Sequence, residues 1–324
     1  MLPATLKPAL IASILGLAVV HAAEPWKILD VDFPDPAVLK TDDGYYAFGT
    51  TSGGINAQVA HSTDFQSWTL LDGVDALPGP FPSWVAEGGS PSVWAPDVIQ
   101  RDDGTFVMYY SATARNSTKH CIGAATSPSA QGPYTPEANA LACPLAQGGA
   151  IDASGFQDDD GTRYVVYKVD GNSLNTGDTQ HPTPIMLQKL AADAVTPVGD
   201  ATQLIDRDEA DGPLVEAPSL VKHDGTYYLS FSSNMFNTMY YDMSWATASA
   251  ITGPWTKAAG PGAPLLSSGD PSSAGSLGGP GGADFRADGA AILFHAFNNG
   301  KDTADGRGVW AGNIELADGR ITLV

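Results

Sequence analysis

The sequence predicts an all-β fold, a five-bladed β-propeller. Three observations carry that prediction. A strand, a short acidic turn ending in glycine and a second aromatic strand recur five times along the chain. The turn glycines, Gly44, Gly104, Gly161, Gly225 and Gly289, are nearly evenly spaced. Finally, Asp outnumbers Glu 30 to 6, and the 324 residues include 36 Gly and 24 Pro. Asp, Gly and Pro favour turns and Glu favours helix, so many hairpins and few helices follow.

The five units can be read in order. The first is Asp35-Pro-Ala-Val-Leu-Lys-Thr-Asp-Asp-Gly44-Tyr-Tyr-Ala-Phe48. The second runs from Pro96 through Gly104 to Tyr110, and the third from Ala153 through Gly161 to Tyr167. The fourth runs from Ala217 through Gly225 to Phe231, and the fifth from Gly282 through Gly289 to His295. Asp-Gly between β-branched and aromatic runs is a strong hairpin signal. A weaker second half follows each unit, clearest in His61–Trp68, Ala125–Tyr134 and Ala246–Trp255. Ile185 to Pro197 and Val309 to Leu323 fill that role in the third and fifth units. Two hairpins make a four-stranded sheet that cannot bury both faces alone. Radial stacking of five such sheets solves this and leaves only short edges. The Gly/Ser/Pro-rich stretch 258–282 reads as a long connection within or after the fourth blade, because too few residues follow it to fold alone.

Residues 1–23 read as a secretory signal peptide. Lys7 is followed by an apolar run, Pro8 to Val20, and then small residues at Ala22 and Ala23. The run is too short to span a bilayer, so residues 24–324 are expected to be one secreted, extracellular domain. The formal net charge is −20. Without basic clusters, such a surface argues against nucleic acid and anionic membrane as partners. Two cysteines, Cys121 and Cys143, are expected to pair as a disulfide in an oxidising compartment. Asn116 lies in the sole glycosylation sequon, Asn116-Ser117-Thr118, and marks a surface loop. Nothing suggests an obligate oligomer, and a monomer is expected.

In a propeller the first strand of each blade lines the central channel. Carboxylates at the starts of these strands therefore converge although they are distant in sequence. Asp35 precedes Pro36-Ala37-Val38, Asp152 precedes Ala153-Ser154, and Glu216 precedes Ala217-Pro218-Ser219. Asp97 sits one residue later in its unit, after Trp94-Ala95-Pro96. Glu216 lies in an apolar context, Pro213-Leu-Val-Glu-Ala-Pro-Ser-Leu220, where burial favours the acid form. Asp35, if better hydrated, stays ionised and can activate water. One acid and one base across a scissile bond is the apparatus of glycoside hydrolysis.

With these residues in view, the chain resembles glycoside hydrolase family 43 over about residues 26–323. The resemblance rests on Phe33-Pro-Asp-Pro-Ala37, Val93-Trp-Ala-Pro-Asp97, Gly149-Ala-Ile-Asp-Ala153, Val215-Glu-Ala-Pro-Ser219 and Leu293-Phe-His-Ala296, in this order. It implies an inverting mechanism on arabinan, arabinoxylan or xylo-oligosaccharides. Asp35 matches the general base, Glu216 the general acid, and Asp152 the residue that orients and tunes the acid. Inversion requires working carboxyls ~6.5–9.5 Å apart. Phe33 and Trp94 are the candidate sugar platforms, and Arg307 stands where some members bind sugar. Members often carry Gly-Pro-Gly-His in blade five, with the His near a central metal. Here Gly279-Pro-Gly-Gly282 has no His, so no cofactor is expected to be required. His295 is expected to be structural.

Two other readings remain open on sequence. One is a sugar-binding propeller without catalysis, which the presence of all three carboxylates disfavours. The other is a retaining fructan hydrolase of an invertase-like family, whose Asn-Asp-Pro-Asn-Gly and Arg-Asp-Pro motifs are missing. Serine, zinc and nucleotide chemistry have no motif to support them.

Overall fold

A computed structural model describes residues 23–87 and 92–324. The proposed signal segment, up to residue 22, lies outside the described residues. The chain forms the five-bladed β-propeller, with helix limited to three short 3₁₀ turns among the described residues. No helix among them is long and apolar enough to cross a membrane.

Four blades are consecutive antiparallel sheets built outward from the axis. Blade one is Ala37–Thr41, Gly44–Gly49, Gln58–Ser62 and Thr69–Leu70. Blade two is Trp94–Gln100, Phe106–Thr113, His120–Ser127 and Thr135–Pro136. Blade three is Ala150–Gln157, Arg163–Val169, Ile185–Leu190 and Thr202–Ile205. Blade four is Val215–His223, Thr226–Ser233, Asp242–Ala248 and Thr256–Lys257. The five acidic turns each join the first two strands of a blade, as the repeat predicts.

Blade five departs from the simple repeat. Gly281–Phe285 and Ala291–Phe297 pair as expected, and Arg307–Ala317 follows. The outer edge of that long third strand is shared. Arg320–Leu323 pairs with its distal half, while the N-terminal strand Trp26–Leu29 pairs with residues 309–311. The start of the domain thus closes the ring on its end. The stretch 258–282 leads from blade four to blade five and carries a small hairpin, Pro271–Ser272 with Gly275–Ser276.

Five apolar clusters fill the five interfaces between neighbouring blades. Phe48 with Met108, Tyr109 with Val165, Val166 with Leu229, Trp245 with Phe294, and Leu293 with Val38 represent them in turn. This explains why the second strands, such as Phe106–Thr113, are buried on both faces and read as continuous apolar runs. Cys121 and Cys143 form a disulfide in blade two. Asn116 is exposed in the turn between the second and third strands of that blade.

Each innermost strand begins with the same backbone device. One residue takes a left-handed conformation: Asp35 (φ 53°), Ala95 (φ 41°), Asp152 (φ 58°), Ala217 (φ 51°) or Gly282 (φ 59°). In blades two to five the pairing register shifts across it. Such bulges re-aim side chains at strand ends. They also correct the expected alignment of the carboxylates. Asp35 and Asp152 occupy the left-handed position itself. Glu216 stands one residue before it, at the position that Trp94 holds in blade two, and Asp97 stands two residues after it, at the position that Asp284 holds in blade five.

Candidate active site

The three carboxylates predicted to converge do so. Asp35, Asp152 and Glu216 line one cavity of about 360 Å³ at the mouth of the channel. Asp97 does not line this cavity. It lines an adjoining narrow waist of about 40 Å³ that Asp35 and Asp152 also reach and that Asp284 shares, and its carboxylate accepts the Gly155 amide at 2.6 Å. Burial and the charge of Asp284 push the Asp97 carboxyl well up. The backbone register accounts for the split, since two residues of strand carry Asp97 deeper into the channel.

Asp35 is held by several groups. Thr50 donates its hydroxyl to Asp35 Oδ2 at 2.6 Å, and Thr50 Oγ1 in turn accepts the Ala95 amide at 2.9 Å. Arg307 Nη1 lies 3.3 Å from Asp35 Oδ1, and the same oxygen is 3.3 Å from His295 Nδ1. Burial alone would raise the Asp35 carboxyl. The guanidinium of Arg307 and the Thr50 hydrogen bond outweigh it and hold the carboxyl below its ordinary range. Burial and Arg307 push His295 down to about 3, so the ring is neutral beside Asp35.

Asp152 has the opposite setting. Burial, and then the charge of Glu216, push its carboxyl well up; Lys168 opposes this. Its Oδ2 accepts the Ala217 amide at 2.9 Å, which ties it to the residue after Glu216. Its own amide donates to Ser111 Oγ at 3.1 Å.

Glu216 is buried, but its surroundings are not the apolar pocket that the flanking sequence suggests. Lys168, completely buried, places Nζ 2.8 Å from Glu216 Oε2 and 3.0 Å from Asp170 Oδ1. The apolar neighbours in sequence belong to the strand's other contacts, and the facing blade supplies a cation. Lys168 escaped the sequence reading, although a lysine inside Tyr164-Val-Val-Tyr-Lys-Val169 is itself a signal. Burying a lysine is costly unless it is paired. Asp170, Thr50 and Tyr241 also line the cavity and had no motif to mark them.

The binding candidates divide. Trp94 is 38% exposed at the cavity wall and stacks on His120 with ring centroids 3.7 Å apart. Arg307 lines the same cavity while contacting Asp35. Phe33 corrects the expectation. It has no exposed surface and packs in the core between blades five and one, its ring against Gly49, so it offers no face to a ligand.

The residues at the blade-five position do not make a metal cradle. A Cβ at Gly282 would lie 2.6 Å from the His295 ring, so that ring fills the space a side chain at 282 would need. His295 in turn stacks parallel to Tyr241 at 5.7 Å, and its nitrogen-bearing edge, the one toward Gly282, faces Asp35 and Arg307. A fixed guanidinium beside the imidazole repels a metal ion. Among the described residues no cluster of His, Cys, Asp and Glu has metal-binding geometry. His295 is therefore part of the site as a neighbour of Asp35, beyond the structural role expected of it.

Comparison with known proteins agrees with this architecture. The family model described as glycosyl hydrolases family 43 matches residues 27–321. A Bacillus subtilis protein named extracellular endo-alpha-(1->5)-L-arabinanase 1 is 28% identical over 276 residues, covering 82% of this chain and 80% of that protein. An Aspergillus flavus protein named probable arabinan endo-1,5-alpha-L-arabinosidase C is 30% identical over 220 residues, covering 65% of this chain and 61% of that protein. Among solved structures, a thermostable family-43 glycoside hydrolase aligns with a TM-score of 0.75 at 27% identity, covering 90% of this chain and 92% of the other.

Proposed function

Because the chain belongs to glycoside hydrolase family 43, we propose that it is a secreted inverting enzyme that cleaves arabinofuranosyl or xylosyl linkages in arabinan or arabinoxylan. The names of the Bacillus and Aspergillus relatives support arabinan as the first substrate to test, and the word extracellular in the former supports secretion.

One observation carries the reading: two carboxyls in one cavity have opposite electrostatic settings. Asp35 is held low, which suits a base. Asp152 is pushed well up by burial and by the charge of Glu216, so it holds a proton above the ordinary carboxylate range. In the proposed step, Asp35 takes a proton from a water whose oxygen attacks the anomeric carbon. The glycosidic C–O bond breaks as Glu216, acting as the general acid, passes a proton to the leaving oxygen. Lys168 engages Oε2, so the transferred proton belongs on Oε1. Asp152 positions the acid through the Ala217 amide. Arg307 and Trp94 supply a donor fork and a ring face for the sugar.

Nuclear magnetic resonance of the first-formed product on linear arabinan and on xylo-oligosaccharides tests the reading. Release of sugar with inverted anomeric configuration is expected. Retained configuration removes the mechanism, and no hydrolysis of either substrate removes the activity.

A further inference from the structure

The cavity has a side exit. It shares Thr50, Phe236 and Arg307 with a wider groove of about 560 Å³ that runs over Asp32 and Thr51 toward residues 303–306. Phe236 stands at the junction. It belongs to the segment between the blade-four strands Thr226–Ser233 and Asp242–Ala248, yet its ring meets Arg307 of blade five, with the guanidinium 4.8 Å from the ring centroid. The ring is 40% exposed. An aromatic side chain fixed by a cation on one side and left open is a platform, not core.

The groove wall is preformed. Asp32 Oδ1 accepts the Arg307 amide at 2.9 Å, and Asp32 Oδ2 accepts the Ser52 hydroxyl at 3.0 Å. Gly306 (φ 78°, ψ −177°) lets the backbone pass so close that a Cβ there would lie 2.5 Å from Asp32 Cβ. Only glycine suits that conformation. A ring face beside fixed carboxylate and hydroxyl groups matches a sugar, which presents C–H on its faces and hydroxyls at its edges.

Resting on the reading above, we propose that this groove binds the sugar units adjoining the one being cleaved, with Phe236 as the stacking platform. Phe236 is then a specificity-determining residue that favours chains over single glycosides. The test compares Phe236→Ala and Ala304→Trp with wild type on a linear arabino-oligosaccharide and on nitrophenyl arabinofuranoside. Ala304 is exposed and lines only the groove, so a tryptophan there obstructs the groove while leaving the cavity intact. Expected is a fall in kcat/KM on the oligosaccharide at least threefold greater than on the nitrophenyl substrate in both variants, with Phe236→Tyr restoring the preference. Equal losses on both substrates, or no loss on the oligosaccharide, overturn the groove. Wild-type enzyme inactive on both substrates, and on the xylose equivalents, overturns instead the hydrolase reading on which the groove rests.

Discussion

Lys168, without exposed surface, sits 2.8 Å from Glu216 and bridges it to Asp170 at 3.0 Å. The lysine comes from the second strand of blade three and the glutamate from the first strand of blade four, so this ion pair joins two blades at the site. Its folded-state charge is secured by Glu216, Asp170 and Asp152 against the cost of burial, and its pKa is raised. Lys168→Met leaves the carboxylates without their cation. Breaking such a buried pair costs about 3–5 kcal/mol, so a lower Tm is expected. Lys168 also opposes the rise of Asp152. Without it, Asp152 keeps its proton to higher pH, and the alkaline limb of the kcat profile moves up. An unshifted limb in a folded Lys168→Met variant would remove the coupling.

Asp152→Asn gives the opposite sign. Asparagine tolerates the left-handed conformation at 152, and its amide oxygen can still accept the Ala217 amide. The carboxyl that burial and Glu216 push well up is gone, and with it the proton held above the ordinary carboxylate range. The alkaline limb is expected to move down, with the acid limb, which reports Asp35, unchanged. A pH–rate titration of the variant reads both limbs at once, and an upward shift contradicts the pairing.

Glu216→Gln is expected to keep the fold, because glutamine preserves the shape of the buried side chain. Loss of general acid catalysis lowers turnover by roughly 10²–10⁴-fold on natural chains. Nitrophenyl glycosides leave without proton help and should lose much less. Parallel rates on arabinan and on nitrophenyl arabinofuranoside test this; natural-chain turnover at the wild-type level excludes the acid role.

Asp35→Asn separates base from acid. Asparagine fits the φ of 53° at this position. Activation of water is needed whatever the leaving group, so nitrophenyl substrates are expected to fall as steeply as natural chains, by about 10²–10⁴-fold. A variant that spares nitrophenyl turnover would assign water activation to another group.

The repeat made the blades legible because Asp-Gly turns and aromatic strands signal hairpins locally. The three cavity carboxylates were legible for the same reason, as they start repeated strands. What escaped depends on register and on partners from other blades. The bulges put Asp97 at the waist and Glu216 one place ahead of Asp35, and spacing along one strand does not reveal a bulge. Phe33 and Trp94 look alike in sequence as aromatics near a strand start. Only packing assigns the first to the core and the second to the wall. Lys168 was visible as a charge in an apolar strand, but its partner Glu216 lies 48 residues away.

Trp26–Leu29 was invisible to the repeat because it has no companion hairpin, yet it closes the ring. It pairs with residues 309–311 of the blade-five strand Arg307–Ala317, and the Lys27 amide donates to Ser273 Oγ at 3.0 Å. Lys27 Nζ also lies 4.7 Å from the Trp310 ring centroid. Leu29 is buried in the cluster between blades five and one. Losing one buried Leu costs about 1.5–3 kcal/mol, and an unpaired third strand exposes backbone donors and acceptors to solvent. Deleting residues 24–29 is therefore expected to lower Tm by on the order of 5–10 °C, at about 2–4 °C per kcal/mol. The sheet edge left open at Val309–Ala311 should also promote association, visible as a concentration-dependent sedimentation profile. A variant that melts at the wild-type temperature would show that the remaining strands of blade five hold the ring without this clasp.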